Sequence, residues 1–186
     1  MDPFLSFARA HQTPLIALIR ELVECESPSD DPAAVNRFVD LIASKVNGIA
    51  RVRTFPGGKF GKHLRCEFLL PGAGAGSAQG AAVSFTTGGN TLASRSVVRE
   101  FPRSRKTSGQ ILALGHSDTV WPTGTLSAMP FRNRKGRLWG PGVLDMKSGL
   151  AFFIFAMRAL RELDRPVRRK VVLQINSDEE VGSHSS

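Results

Sequence analysis

Apolar positions divide the chain into segments of differing period. Leu15, Ile19, Leu22 and Val23 recur at helical intervals. Thr13-Pro14 ahead of them reads as an N-cap followed by a proline in the first turn. Ser27-Pro28-Ser29-Asp30 breaks that helix, and Asp31-Pro32 repeats the start signal. Val35, Phe38, Val39, Ile42 and Val46 continue with helical spacing until Asn47-Gly48 closes the segment. Residues 51–55 and 64–70 read as strands, the first ended by Pro56-Gly57-Gly58. Ile111-Leu112-Ala113-Leu114, bounded by turn residues, predicts a buried strand. Residues 131–139 predict a hairpin that turns at Lys135-Gly136. Helical spacing returns over 146–163, where Leu150, Phe153, Ile154, Met157 and Leu160 share a face. The apolar, β-branched run 170–176 predicts a further strand. Strand, helix and strand in this order predict an α/β fold, with a parallel pair and helices covering the sheet.

Residues 71–109 break the pattern. Pro71-Gly72-Ala73-Gly74-Ala75-Gly76-Ser77 is of low complexity, and Ser, Thr, Gly and Arg follow without a sustained period. The reading is a flexible insertion with few core contacts.

The chain has 186 residues, room for one domain with a real core. Its net charge is +9. Such a balance suits nucleic acid, a membrane surface or an acidic substrate. The cations are spread out, however, and aromatic residues do not interleave with them as in a single-strand binder. A solvated basic surface is the expectation, with neither nucleic acid nor membrane as partner. The longest apolar run, 150–157, falls short of a membrane span. The N-terminus lacks the charged and apolar regions of a signal peptide. Cys25 and Cys66 make no disulfide framework, so reduced thiols and a cytoplasmic location are expected.

Three polar clusters carry the candidate chemistry. Gly115-His116-Ser117-Asp118 follows the 111–114 strand. Alternate residues of an extended chain face the same way. A carboxylate beside an imidazole can fix its tautomer and leave the other ring nitrogen for a metal. Asp145, in Gly140-Pro141-Gly142-Val143-Leu144-Asp145-Met146-Lys147-Ser148-Gly149, precedes the crossover helix. Glu179 and Glu180, in Ser177-Asp178-Glu179-Glu180-Val181-Gly182-Ser183, follow the last strand. Sites in open α/β sheets form outside the carboxyl ends of strands, so the three clusters can converge. Imidazole with carboxylates suits zinc, and an aspartate has two oxygens with which to bridge two ions. Of two adjacent glutamates, one can ligate while the other handles protons.

The three motifs together resemble the N-terminal signatures of a family of zinc amidohydrolases and exopeptidases. It includes glutamate carboxypeptidase, acetylornithine deacetylase, succinyl-diaminopimelate desuccinylase and aminoacylase. Thr119-Val120-Trp121 and Asp145-Met146-Lys147 most resemble the glutamate carboxypeptidase branch. The resemblance implies a three-layer α/β/α catalytic domain with a mostly parallel mixed sheet. It implies two zinc ions, replaceable by cobalt or manganese, and hydrolysis of a small peptide or N-acyl amino acid. By matching position, His116 would ligate one zinc and Asp118 would orient it. Asp145 would bridge the ions, Glu180 would ligate the second, and Glu179 would be the general base. A cis peptide is expected at Asp145-Met146, and a homodimer for the complete enzyme.

The family also uses an acidic residue and a histidine beyond the Glu-Glu turn, a dimerisation domain, and residues that read the substrate carboxylate. His184 does not match a ligand position, and neither His63 nor His11 has a motif around it. The expectation is therefore the N-terminal part of a catalytic domain, inactive alone and with an open edge at the 170–176 strand. The alternative is a non-catalytic remnant that binds metal weakly.

Overall fold

The computed structural model describes residues 1–72 and 109–186. The expected insertion at 71–109 lies almost entirely outside the described residues. The fold opens on three helices: α1 (Pro3–Ala10), α2 (Gln12–Glu24) and α3 (Pro32–Lys45). The 13–23 pattern located α2, but its start differs. The helix begins at Gln12 with His11 as N-cap, so Thr13 lies inside it. Helix α1 has a short apolar stripe, with Phe4, Phe7 and Ala8 at helical spacing. Its signal is Asp2-Pro3, of the same kind as Asp31-Pro32. Asp2 Oδ1 accepts from the Phe4 and Leu5 amides, as Asp31 Oδ1 accepts from those of Ala33 and Ala34. In both helices an aspartate satisfies orphan amides and a proline supplies the preset φ of the first turn.

A four-stranded sheet follows, in the order β1-β2-β6-β3. Its strands are β1 (Ala50–Pro56), β2 (Lys62–Phe68), β3 (Gln110–His116) and β6 (Lys170–Asn176). The strand expected at 64–70 is thus displaced two residues towards the N-terminus. A one-turn helix α4 (Thr125–Ala128) and a hairpin of β4 (Arg132–Arg134) and β5 (Arg137–Trp139) separate β3 from the crossover. The hairpin turns at Lys135 and Gly136, both at positive φ, which suits the twist of a two-residue hairpin loop.

The crossover helix α5 (Ser148–Glu162) joins β3 to β6, which pair in parallel from Gln110↔Lys170 to His116↔Asn176. The sheet is mixed, since β2 runs antiparallel to both β1 and β6. The helical pattern at 146–163 begins two residues late. Asp145 and Met146 have non-helical backbone, and their peptide bond is cis.

Leu64, Cys66 and Phe68 of β2 lie on one face of the sheet, beside Val171, Leu173 and Ile175 of β6. The helices α2, α3 and α5 bury Leu22, Val23, Val35, Phe38, Ile42 and Ile154 in the same core. Phe68 meets Phe153 edge-to-face, with ring centroids 5.6 Å apart. Gly115 is where α5 comes closest, since a Cβ there would lie 2.9 Å from Leu150 Cδ2.

Three expectations about the sheet are corrected. Among the described residues it is not mostly parallel, since only the β3–β6 ladder is parallel and the β1–β2 and β2–β6 ladders are antiparallel. The strand at 111–114 is not buried: Ile111, Leu112 and Leu114 are exposed, the last by 65%. Among the described residues it is one of the two edge strands of the sheet, so neighbours cover it less than they cover a central strand. Conversely, 170–176 is not an edge. It lies between β2 and β3, with ladders on both sides. Its continuous apolar run has the composition of a central parallel strand. No helix among the described residues is long and apolar enough to cross a membrane.

Ile154 is fully buried at the helix–sheet contact. Ile154→Ala leaves a cavity there and is expected to cost about 2–5 kcal/mol. The measurement is the urea midpoint, and an unchanged midpoint would show that α5 does not pack as described.

Candidate metal centre

The parallel register ends His116 opposite Asn176, so the residues after β3 and β6 leave the same edge of the sheet. The Ser117 amide and hydroxyl both donate to the Asn176 carbonyl, at 2.8 and 3.0 Å. The segment after α2 joins them. Thr119 N donates to Ser27 O, and Ser29 N donates to Thr119 O. Chain from after α2, β3 and β6 is thereby held together below the site.

The side chain at this junction is Asp118, almost fully buried. One carboxylate oxygen accepts from Ser29 Oγ at 2.8 Å and from the Glu180 amide at 3.1 Å. The other accepts from the Glu179 amide at 3.2 Å and faces His116 Nδ1 at 3.5 Å. Burial pushes the Asp118 carboxyl up, but hydrogen bonds from His116, Ser29 and Glu180 outweigh it and hold the group below the usual aspartate range.

His116 is buried, and its two nitrogens have separate surroundings. Nδ1–H donates to the Asp118 backbone carbonyl at 3.0 Å, a shorter contact than that to the carboxylate. Nε2 lies 2.9 Å from Asp145 Oδ1 and 4.0 Å from Glu179 Oε2. Burial pushes the ring pKa down. Hydrogen bonds with Asp118 and Asp145 more than offset this and raise it to about 9.

His116, Asp145 and Glu180 each present one ligand-type atom, and these atoms lie within 4.8 Å of one another. Asp145 reaches the group from the irregular turn Val143–Lys147. Gly142, at φ +66, starts that turn, and a Cβ there would lie 2.9 Å from Thr119 Cγ2. Behind the turn, Lys147 Nζ is buried, donates to Cys25 O at 2.8 Å and lies 4.7 Å over the Phe38 ring. Burial lowers its pKa to about 8, against the pull of Cys25 and Glu26. Glu180 stands partly shielded, and burial pushes its carboxyl up. His116 opposes that shift, while Asp145, Asp118 and Glu179 add to it. One imidazole nitrogen and two carboxylates, with two further acids nearby, form a donor set that fits a zinc-like dication.

The remaining histidines lie elsewhere. His63 is buried in β2, where Nδ1 accepts from the Ser177 amide and Nε2–H faces Ser185 O. His184 stacks on Phe60, and His11 stacks on Phe7. Neither Ser29 nor Lys147 was singled out from the sequence. Ser29 had served only as a helix breaker, although a serine that flanks a proline turn beside a site is a candidate donor. Lys147 is distinguished only by its burial, which its spacing does not reveal.

Residues 112–186 match the model of peptidase family M20/M25/M40. Carboxypeptidase G2 of Pseudomonas sp. (strain RS-16) is 34% identical over 76 residues, 41% of this chain and 18% of that protein. A succinyl-diaminopimelate desuccinylase of Thioalkalivibrio sulfidiphilus is 40% identical over 82 residues, 41% of this chain and 22% of that protein. The chain thus matches about a fifth of the length of these relatives. Human carnosine dipeptidase 1 superposes with a TM-score of 0.67 at 20% identity, over 97% of this chain and 35% of its own. The dipeptidase Dug1p of Saccharomyces cerevisiae gives 0.69 at 13%, over 98% and 36%. These likenesses show the expected α/β fold with a mixed sheet.

The raised His116 pKa fixes a pH dependence. The protonated ring is favoured in the fold over its ordinary value of 6.5. Its contribution is therefore fully present below pH 6.5 and is lost as pH rises towards 9. Metal-free protein should lose stability across that window, and His116→Gln should flatten the slope. Denaturation midpoints at closely spaced pH values measure it. A slope unaltered by His116→Gln would refute the assignment.

Proposed function

We propose that His116, Asp145 and Glu180 hold a divalent cation, zinc by donor set, in a site that hydrolyses a peptide or N-acyl amide bond. The activity is that of an exopeptidase or amino-acid deacylase, and cobalt or manganese would substitute for zinc. The observation that carries the reading is the convergence of one imidazole and two carboxylate atoms within 4.8 Å, with a further glutamate beside them. The family match of residues 112–186 and the activities for which the relatives are named support it.

Bound zinc would supply a water acidified to a pKa of about 7 and would polarise the substrate carbonyl. The protein groups divide the remaining work. Glu179 is half exposed, 54% by side chain, and its carboxylate has no hydrogen-bond partner among the described residues. It is free to take the proton of the attacking water and return it to the leaving amine. Asp118 cannot serve in that way, because its oxygens are committed to Ser29, His116 and two amides. Its role is to position the His116 ring and the 179–180 turn together. Asp145 has a second oxygen, with which it would bridge a second ion.

A second reading has an observation of its own. Only one group of three ligand-type side chains is gathered among the described residues. A chain with only this group would hold one ion weakly and hydrolyse nothing.

Zinc loading and hydrolysis of N-acyl amino acids and short peptides separate the two. Under the hydrolase reading, Glu179→Gln lowers turnover by about 10²–10⁴-fold, with zinc content unchanged. His116→Ala should remove both zinc and turnover. One zinc per chain without turnover would favour the second reading, and zinc retained by His116→Ala would sink both.

A further inference from the structure

The hairpin β4–β5 carries a second constellation, independent of the metal centre. Its register pairs Arg132 with Trp139 and Arg134 with Arg137. Directly opposed residues of an antiparallel pair project to the same side. Arg132, Arg134, Arg137 and Trp139 therefore share one face, while Asn133 and Leu138 share the other. Leu138 packs on the core, so the Arg-Trp face points outward. All four residues of that face are exposed, Trp139 by 53%. With Lys135 they line a cavity of about 740 Å³.

Arg134 and Arg137 are like charges directly opposite, a placement that destabilises a strand pair. None of the four cations makes an ion pair or side-chain hydrogen bond among the described residues. An oxyanion between the two guanidinium groups would reverse that repulsion and accept paired N–H donors. We propose that this face is an exosite for an acidic peptide segment, whose carboxylates sit among Arg132, Arg134, Lys135 and Arg137. The Trp139 ring forms an apolar wall for the methylenes of the acidic side chains.

The concavity is open to solvent and confined to one hairpin and the 128–130 segment, which suits a short peptide segment. Its single exposed aromatic ring is unlike the row of rings on which successive bases of a single strand stack. Only five residues separate Trp139 from Asp145, a span of at most about 22 Å of chain. Acidic side chains bound at the hairpin would thus lie several residues from a bond cut at the metal centre. That link rests on the hydrolase reading, but binding at the hairpin does not.

The test is calorimetric titration of the metal-free, chelator-treated 186-residue chain, which cannot turn the probe over, with N-acetyl-tetra-aspartyl amide at low and at physiological salt. Binding that weakens with salt is expected, with none for the tetra-asparaginyl analogue. Arg137→Glu should weaken binding at least tenfold. It should also raise the denaturation midpoint, since it turns a like-charge pair into an opposite one, so lost binding cannot be mistaken for lost folding. His116→Ala should bind the probe as the parent does, which separates this exosite from the metal reading. Undiminished binding by Arg137→Glu would overturn the proposal, as would tighter binding of an oligothymidylate of equal charge.

Discussion

The site depends on one buried carboxylate. Asp118 sits where three stretches of chain meet, and its oxygens take donors from each. Ser29 comes from the turn after α2, His116 from the end of β3, and the Glu179 and Glu180 amides from the turn after β6. A buried carboxylate short of partners costs several kcal/mol or takes up a proton. Here the donors keep it ionised, and in doing so they fix the positions of His116 and the two glutamates relative to one another. The charged form of Asp118 is thus at once a folding constraint and the frame of the site.

The frame needs the parallel register of β3 and β6. Because His116 pairs with Asn176, a shift of one residue would point His116 to the opposite face of the sheet. The shift would also separate Asp118 from the 179–180 amides. Asp145 reaches the group by another route. Its turn is fastened from behind by the buried Lys147 ammonium and closely apposed to Thr119 at Gly142. Asp145 itself is 73% exposed by side chain, so its position comes from its backbone anchors and its contact with His116. The least buried ligand-type side chain stands on a firmly tethered turn.

Much of this was legible in the sequence for identifiable reasons. Periodicity located α2, α3, α5 and β6, because each buries a continuous stripe or run. The polar clusters could be placed at one sheet edge because a strand–helix–strand unit fixes the direction of both strands. Periodicity failed where a segment is apolar without being buried. Ile111, Leu112 and Leu114 read as core, yet strand order left them at the edge, and strand order is a property of long-range pairing. It also missed α1, which is only eight residues long and buries a single side chain, Phe7. The partners of Asp118 were invisible for a third reason. Ser29 is 89 residues away in the chain, and the other donors include backbone amides, which every sequence possesses.

The charge distribution brings the two constellations into relation. The chain carries +9 overall, yet the metal centre gathers Asp118, Asp145, Glu179 and Glu180 around one imidazole. At physiological salt the Debye length is about 8 Å, so distant basic residues are largely screened from that cluster. The local carboxylates therefore dominate the field at the imidazole. The hairpin works at the same short range but with the opposite sign, since Arg132, Arg134, Lys135 and Arg137 lie within one three-residue-strand hairpin. A ligand with clustered carboxylates would be repelled by the bare acidic centre and attracted by the hairpin. A dication held by the carboxylates would lower the first of these effects and leave the second. The two proposed sites would then act on an acidic peptide together rather than in opposition.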